Sequence, residues 1–336
     1  MDKQENVFLF ASNWSTSNVL FVCPRNERGC LKGIWSHLYD AVCLYLCASS
    51  GSGAGKSTFL NVLSGRTNLG QMSVSGQLGL GGFKFPARDQ DIIRSVCTYV
   101  PQSDILCPTQ TVEEALMFYA RLKLPALPLE QQEKRVNYLI DILKLNKCRH
   151  TPIGGESKRG VSGGEKRRVS IAAEILNDTD IIFLDEPTSG LDAYTAARAI
   201  KTLKEFCSVS NKIIIATIHQ PAMEVFYLFD KLILLSSGRC CFNSKLTDIN
   251  VHFRNQLRPK TNPADVILFE VQRDPDRWSA DWIDSALNDN KWSVKRMTRY
   301  PLLSFEDVKN GDKIQISTNI AMAPMVRHIH GRCTVS

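Results

Sequence analysis

Ala41-Val-Cys-Leu-Tyr-Leu-Cys47, Ala48-Ser-Ser-Gly-Ser-Gly-Ala-Gly55 and Lys56-Ser-Thr-Phe-Leu-Asn-Val-Leu-Ser64 follow one another in the chain. The first segment is a short apolar run, the length and character of a buried strand. The second is built from small residues. The third places Phe59, Leu60 and Leu63 on one helical face. Strand, glycine loop and helix in this order match the phosphate-loop pattern G-x-x-x-x-G-K-[ST], with Ser50 standing at the first glycine. Small residues let backbone N–H groups converge on phosphate oxygens, and the helix N-terminus adds partial positive charge. Gly51, Ser52, Gly53, Ala54, Gly55, Lys56, Ser57 and Thr58 are therefore the candidate phosphate contacts. Lys56 would reach the β and γ phosphates, and the Ser57 hydroxyl would ligate Mg²⁺. A left-handed backbone at Ser50 would cost roughly 1–2 kcal/mol, which Gly51 next door can partly absorb.

Outward from this loop, Ile181-Ile-Phe-Leu184 is an apolar strand that ends in Asp185-Glu186. Ligands gather at the carboxyl ends of strands in parallel sheets. Asp185 is placed to hold Mg²⁺, and Glu186 to act as general base towards an attacking water. Taken alone, the same residues also read as a strand closed by a solvated acidic turn. Further strands are expected at Ser95–Val100, Lys212–Ile218 and Lys231–Leu235. Helices are expected at Thr111–Arg121, with Thr111 as N-cap, and at Leu129–Leu145. Gly65–Arg88 reads as a loop-rich stretch. Strands alternating with helices indicate an α/β protein with a mostly parallel sheet.

Gly160-Val-Ser162-Gly163-Gly164-Glu165-Lys-Arg-Arg168 lies ahead of the acidic strand end. A Ser-Gly-Gly run that opens a helix is a second anion site. This segment resembles the signature motif of ATP-binding cassette (ABC) proteins. Further landmarks of that family follow: Gln102 resembles the Q-loop glutamine, Ser189-Gly-Leu-Asp192 the D-loop, and His219 the switch histidine. The resemblance covers about residues 41–270. It implies a phosphate-loop NTPase with a RecA-like core, a helical subdomain near 105–178 and a small antiparallel β subdomain. It also implies ATP and Mg²⁺ as cofactors and two cassettes pairing head to tail. Ser162, Gly163, Gly164 and Glu165 would then face the γ-phosphate held by the partner cassette. Asp192 would cross the interface, Gln102 would touch Mg²⁺ and water, and His219 would touch the γ-phosphate. Glu165, Gly155-Glu-Ser-Lys-Arg-Gly160 and Asn262-Pro-Ala-Asp265 are similar to the G subfamily, half-transporters that export sterols, lipids, pigment precursors and drugs. Such a cassette works with a transmembrane domain, at the cytoplasmic face of a membrane. A soluble non-transport ABC ATPase and a nucleotide-binding remnant without turnover are the alternatives.

The 336 residues carry Lys+Arg 41 against Asp+Glu 34, a net charge of +7, with 43% hydrophobic and 22% charged residues. That composition excludes a disordered, collagen-like or disulfide-scaffold chain. The charge is too modest to argue for nucleic acid, and no nucleic-acid partner is expected. No apolar run approaches the roughly 20 residues that span a bilayer, and no signal peptide is expected. The 11 cysteines are irregularly spaced and read as reduced thiols. Residues 1–40 are not assigned, and none of their aromatics (Phe10, Trp14, Trp35, Tyr39) is named as an adenine contact. Residues 271–336 read as a tail or linker, where His328, His330 and Cys333 lack a fourth metal ligand. Lys166-Arg-Arg168 reads as a solvated helix face. Trp278, Trp282 and Trp292 are expected to pack against the cassette.

Overall fold

The computed structural model describes residues 43–49, 56–67, 77–80, 83–86, 90–155, 159–210, 212–237, 239–253, 257 and 261–279. Strand β1 (Cys43–Ser49) is followed by helix α1 (Lys56–Leu63). Next come β2 (Gln77–Leu80) and β3 (Phe83–Pro86), paired antiparallel with Leu80 opposite Phe83. Helix α2 (Gln90–Val96) leads directly into β4 (Cys97–Val100). Three helices follow: α3 (Val112–Lys123), α4 (Leu129–Ile142) and α5 (Gly163–Glu174). Strand β5 (Ile181–Leu184), helix α6 (Ala193–Ser210), strand β6 (Ile213–Ile218) and the short α7 (Met223–Phe226) return the chain to the sheet. Strands β7 (Lys231–Ser236) and β8 (Arg239–Lys245), then α8 (Ile249–His252) and α9 (Pro263–Arg273), complete the series.

One sheet has the order β4-β5-β6-β1-β7-β8. Every pairing is parallel except β7 with β8. All residues of β5, β6 and β7 are buried. That is expected where helices cover both faces of a parallel sheet, and it explains why these strands are rich in Ile, Leu and Phe. Helix α6 lays Ile200, Leu203 and Phe206 into the same core. Helices α3, α4 and α5 pack on one another through Leu116, Ala120, Leu139, Ile140 and Ala172, all buried. Lys123 pairs with Glu174 at 2.6 Å across α3 and α5. Helix α3 starts in a capping box: Thr111 Oγ1 accepts the Glu114 N–H at 3.3 Å, and Glu114 accepts the Thr111 N–H at 2.8 Å.

Several elements differ from the sequence reading. Gly65–Arg88 is not all loop, because β2 and β3 pair within it; Gly79, Gly81 and Gly82 break the alternation that would have marked them. Strand β8 was not anticipated, since its mixed Arg-Cys-Cys-Phe-Asn-Ser-Lys text has no clean period. The expected strand at Ser95 begins two residues later, after α2. Arg167 and Arg168 are 3% and 4% exposed, so this part of α5 is buried rather than solvated. Trp278 is buried and stacks near Phe253, with ring centroids 4.6 Å apart. The readings on residues 1–40, Trp282, Trp292 and the tail histidines fall outside the described residues.

Gly65, just after α1, sits at φ +69, and a Cβ there would lie 2.6 Å from the Gln90 carbonyl oxygen and 2.4 Å from Ile93 Cγ2. A backbone oxygen cannot swing aside, so Gly65→Ala combines left-handed strain with a clash. It is expected to destabilise the protein by at least about 2 kcal/mol in chemical denaturation.

Candidate nucleotide site

The site forms where four chain segments end. Strand β5 is fully buried, and its end places Asp185 at 8% exposure. A carboxylate at that depth needs donors. Tyr99 at the end of β4 donates its phenol O–H to Asp185 Oδ2 at 2.9 Å. Thr217 on β6 donates its hydroxyl to Oδ1 at 2.7 Å. Ser57, the second residue of α1, reaches the same Oδ1 at 3.4 Å. Burial, then the charge of Asp185 and the bond to it, push the Tyr99 phenol well above its ordinary range. It therefore stays protonated, and a donor, through neutral pH. Lys56 is buried at the start of α1.

Glu186 comes next, at φ +45, a left-handed conformation uncommon outside glycine. Its backbone N–H donates to Thr217 Oγ1 at 2.9 Å, so one threonine serves both acidic residues. Its carboxylate accepts from Gln102 Nε2 at 2.7 Å, and the same amide lies 3.3 Å from Ser189 Oγ. Arg167 supports the arrangement from behind. Its Nη1 donates to the carbonyls of Pro101 at 2.8 Å and Gln102 at 3.1 Å and to Asp104 Oδ1 at 2.8 Å. Its Nη2 donates to the Asp185 carbonyl at 3.0 Å.

A second cluster lies where α5 meets α6. Ser162 caps α5: its Oγ accepts the Glu165 N–H at 3.3 Å, and Glu165 Oε2 accepts from the Ser162 N–H at 2.9 Å and from its hydroxyl at 2.7 Å. Burial pushes the Glu165 carboxyl up, but the bonds from Ser162 and the charges of Arg168 and Arg198 outweigh it and leave it below its ordinary value. A Cβ on Gly164 would lie 2.3 Å from Thr195 Cγ2, whereas one on Gly163 would meet Leu191 at an ordinary 3.5 Å. Glycine at 164 thus permits the close approach of α5 to α6. Asp192 opens α6 and accepts the Thr195 N–H at 3.0 Å; the Thr195 hydroxyl first, then this N–H, hold its carboxyl below its ordinary value.

The structure therefore joins Ser57, Gln102, Asp185 and Glu186 in one hydrogen-bonded group. It places Ser162, Gly163, Gly164, Glu165 and Asp192 in the second cluster. His219 stands exposed just beyond β6, the strand beside β5. Thr58 is half-buried on α1. Gly51, Ser52, Gly53, Ala54 and Gly55 lie outside the described residues. Tyr99 and Thr217 have no role in the sequence reading, Ser189 appears there only as the start of the D-loop segment, and Arg167 only as part of a solvated helix face. Only the strand-end positions of Tyr99 and Thr217 hinted at a role. The donor set fits Mg²⁺: Ser57 and Asp185 present oxygen ligands on adjoining segments, and Mg²⁺ takes one or two carboxylates plus substrate phosphates rather than an all-protein cage. Among the described residues no group of three or more His, Cys, Asp or Glu side chains could hold a metal ion.

A parallel sheet with these strand-end carboxylates and a lysine-started helix defines a phosphate-loop ATPase. Residues 50–189 match the family model described as ABC transporter. The chain is 43% identical over 223 residues to ABC transporter G family member 1 of Dictyostelium discoideum, covering 65% of this chain and 27% of that protein. It is 38% identical over 248 residues to Protein white of Drosophila melanogaster, covering 72% and 35%. It thus spans about a quarter to a third of the length of these relatives. Among solved structures, cbiO1 of Clostridium perfringens, described as part of the ABC transporter complex cbiONQ, shares the fold. That match has a TM-score of 0.54 and 22% identity and covers 80% of this chain and 100% of that one. The chain carries the ATPase domain of the G-family ABC transporters. No described helix is long and apolar enough to cross a membrane.

Thr217→Val keeps the side-chain shape but removes the donor to Asp185 and the acceptor for the Glu186 N–H. It is expected to destabilise the protein by about 1–3 kcal/mol in urea denaturation, with Thr217→Ser recovering most of the loss.

Proposed function

We propose that this domain hydrolyses ATP between two cassettes paired head to tail, and so powers a G-type exporter of hydrophobic small molecules such as lipids or sterols. One observation carries the reading: Ser57, Asp185, Glu186 and Gln102 converge through hydrogen bonds at the carboxyl ends of parallel strands. In this reading the phosphates of ATP rest on the loop at 50–55 and on the N-terminus of α1, with Lys56 on the β and γ phosphates. Ser57 and Asp185 would hold Mg²⁺, which when bound would supply positive charge against that of the phosphates. Glu186 takes the proton of the attacking water, and Gln102 holds both the Glu186 carboxylate and the water in line. His219 meets the γ-phosphate. Phosphoryl transfer of this kind asks for placement and charge stabilisation more than for covalent chemistry.

The second cluster supports the paired arrangement. Ser162 and the N–H groups of Gly163 and Gly164 form an anion site built from different elements than the Lys56 loop. A partner cassette would supply the γ-phosphate that fills it, and Asp192 would face that partner. The G-family relatives support a transmembrane domain as the further partner, with the cassette at the cytoplasmic face.

Glu186→Gln is expected to lower turnover about 10²–10⁴-fold while ATP binding is kept. Lys56→Ala is expected to weaken ATP binding by about 1.5–3 kcal/mol, the worth of a charge-assisted bond. Phosphate release and equilibrium nucleotide binding read the two effects. Full turnover in Glu186→Gln refutes the general-base role. A Glu186→Gln protein that stays single in light scattering at saturating ATP and Mg²⁺ refutes the paired arrangement.

A further inference from the structure

Asn262 opens α9 and engages three partners. Its Oδ1 accepts the Ala264 N–H at 3.2 Å, an ordinary N-cap with Pro263 at the first helical position. Its Nδ2 donates to the Pro221 carbonyl at 3.0 Å and to Asp265 Oδ2 at 3.0 Å. One acceptor contact and two donor contacts fix which way the amide points. Capping alone does not call for asparagine here, because Asp and Ser cap about as well. What asparagine adds is a donor for Pro221.

Pro221 is buried and closes the exposed pair His219-Gln220 that follows β6. Gln220 holds φ +45, a conformation its own preferences disfavour. Pro221 has no N–H, so its carbonyl is its one backbone polar group. Strand β6 pairs with β5 with Ala216 opposite Leu184, which sets His219 beside the end of β5 that carries Asp185 and Glu186. The Asn262 amide therefore ties the start of α9 to the segment that presents His219 to the site.

We propose that Asn262 is a positioning residue for ATP hydrolysis, its amide holding the loop after β6 so that His219 stands at the γ-phosphate. The inference rests on the ATPase reading above. It gives the Asn-Pro-Ala-Asp segment a task at the nucleotide site, distinct from capping α9.

The test exchanges the two polar residues of the cap. Asn262→Asp with Asp265→Asn keeps the net charge, the cap and an amide–carboxylate pair, removes the donor to Pro221 and sets a carboxylate oxygen against that carbonyl. The expected result is a melting temperature lowered by a few degrees, as for one lost hydrogen bond, ATP affinity within about threefold of the parent, and kcat lowered about 10- to 100-fold, the scale of a misplaced reacting group. In a His219→Ala background, read by single turnover, the same exchange costs nothing further, because the loop no longer carries an imidazole to place. Parental kcat in the exchanged protein overturns the proposal, as does an equal fall of kcat in both backgrounds. If the exchanged protein does not fold, Asn262→Ser provides the same readings, since its shorter hydroxyl caps α9 without spanning to Pro221. A parent that hydrolyses ATP while the exchange is silent overturns the positioning role alone. A parent that binds ATP without turnover overturns the ATPase reading and this inference with it.

Discussion

A carboxylate at the end of a buried strand has to find donors, and Asp185 finds them on three neighbouring segments. Tyr99, Thr217 and Ser57 each sit where β4, β6 or α1 ends or begins. This works only because β5 lies between β4 and β6 and all three run parallel, so that their carboxyl ends stand at one level. Desolvating a carboxylate without such partners would cost several kcal/mol. The order of strands and the presence of the site are thus one constraint, since another strand order would leave Asp185 short of donors.

Arg167 extends that constraint into the helical part of the molecule. Its guanidinium is almost wholly buried and directs Nη1 and Nη2 to the carbonyls of Pro101, Gln102 and Asp185 and to Asp104. It arises from α5, the helix capped by Ser162. Any displacement of α5 is therefore felt at Gln102, which is itself bonded to Glu186. Gly164 contributes by letting α5 lie directly against α6 at Thr195.

Backbone strain recurs just past β5 and β6, and at both places a neighbouring side chain bonds the adjoining backbone. Glu186 and Gln220 both take φ +45 just past β5 and β6. The Glu186 N–H is met by Thr217, and the residue after Gln220 is met by Asn262. Left-handed non-glycine residues persist where surrounding contacts over-determine them, and functional sites are where they gather. Both turn the chain sharply as it leaves the sheet, which exposes the Glu186 and His219 segments at the carboxyl edge.

The sequence by itself determined the elements that declare themselves locally. The apolar runs at 181–184 and 213–218 mark buried strands because parallel strands are covered on both faces. Thr111 and Ser162 announce helix starts because a capping box is a contact between residues three apart. That Ser57, Asp185 and Glu186 belong together was legible because a G-K-[ST] segment and an acidic strand end are short patterns, and the structure joins these three through hydrogen bonds. The β2–β3 pair and β8 were not legible, since backbone pairing leaves no period in glycine-broken or mixed text. Only the tertiary structure decided that Arg167 is a buried tie rather than a solvated charge, that Thr217 and Tyr99 bond Asp185, and that Asn262 bonds the Pro221 carbonyl. Their roles come from partners tens of residues away in the chain, and a hydrogen bond between distant segments leaves no trace in either segment alone.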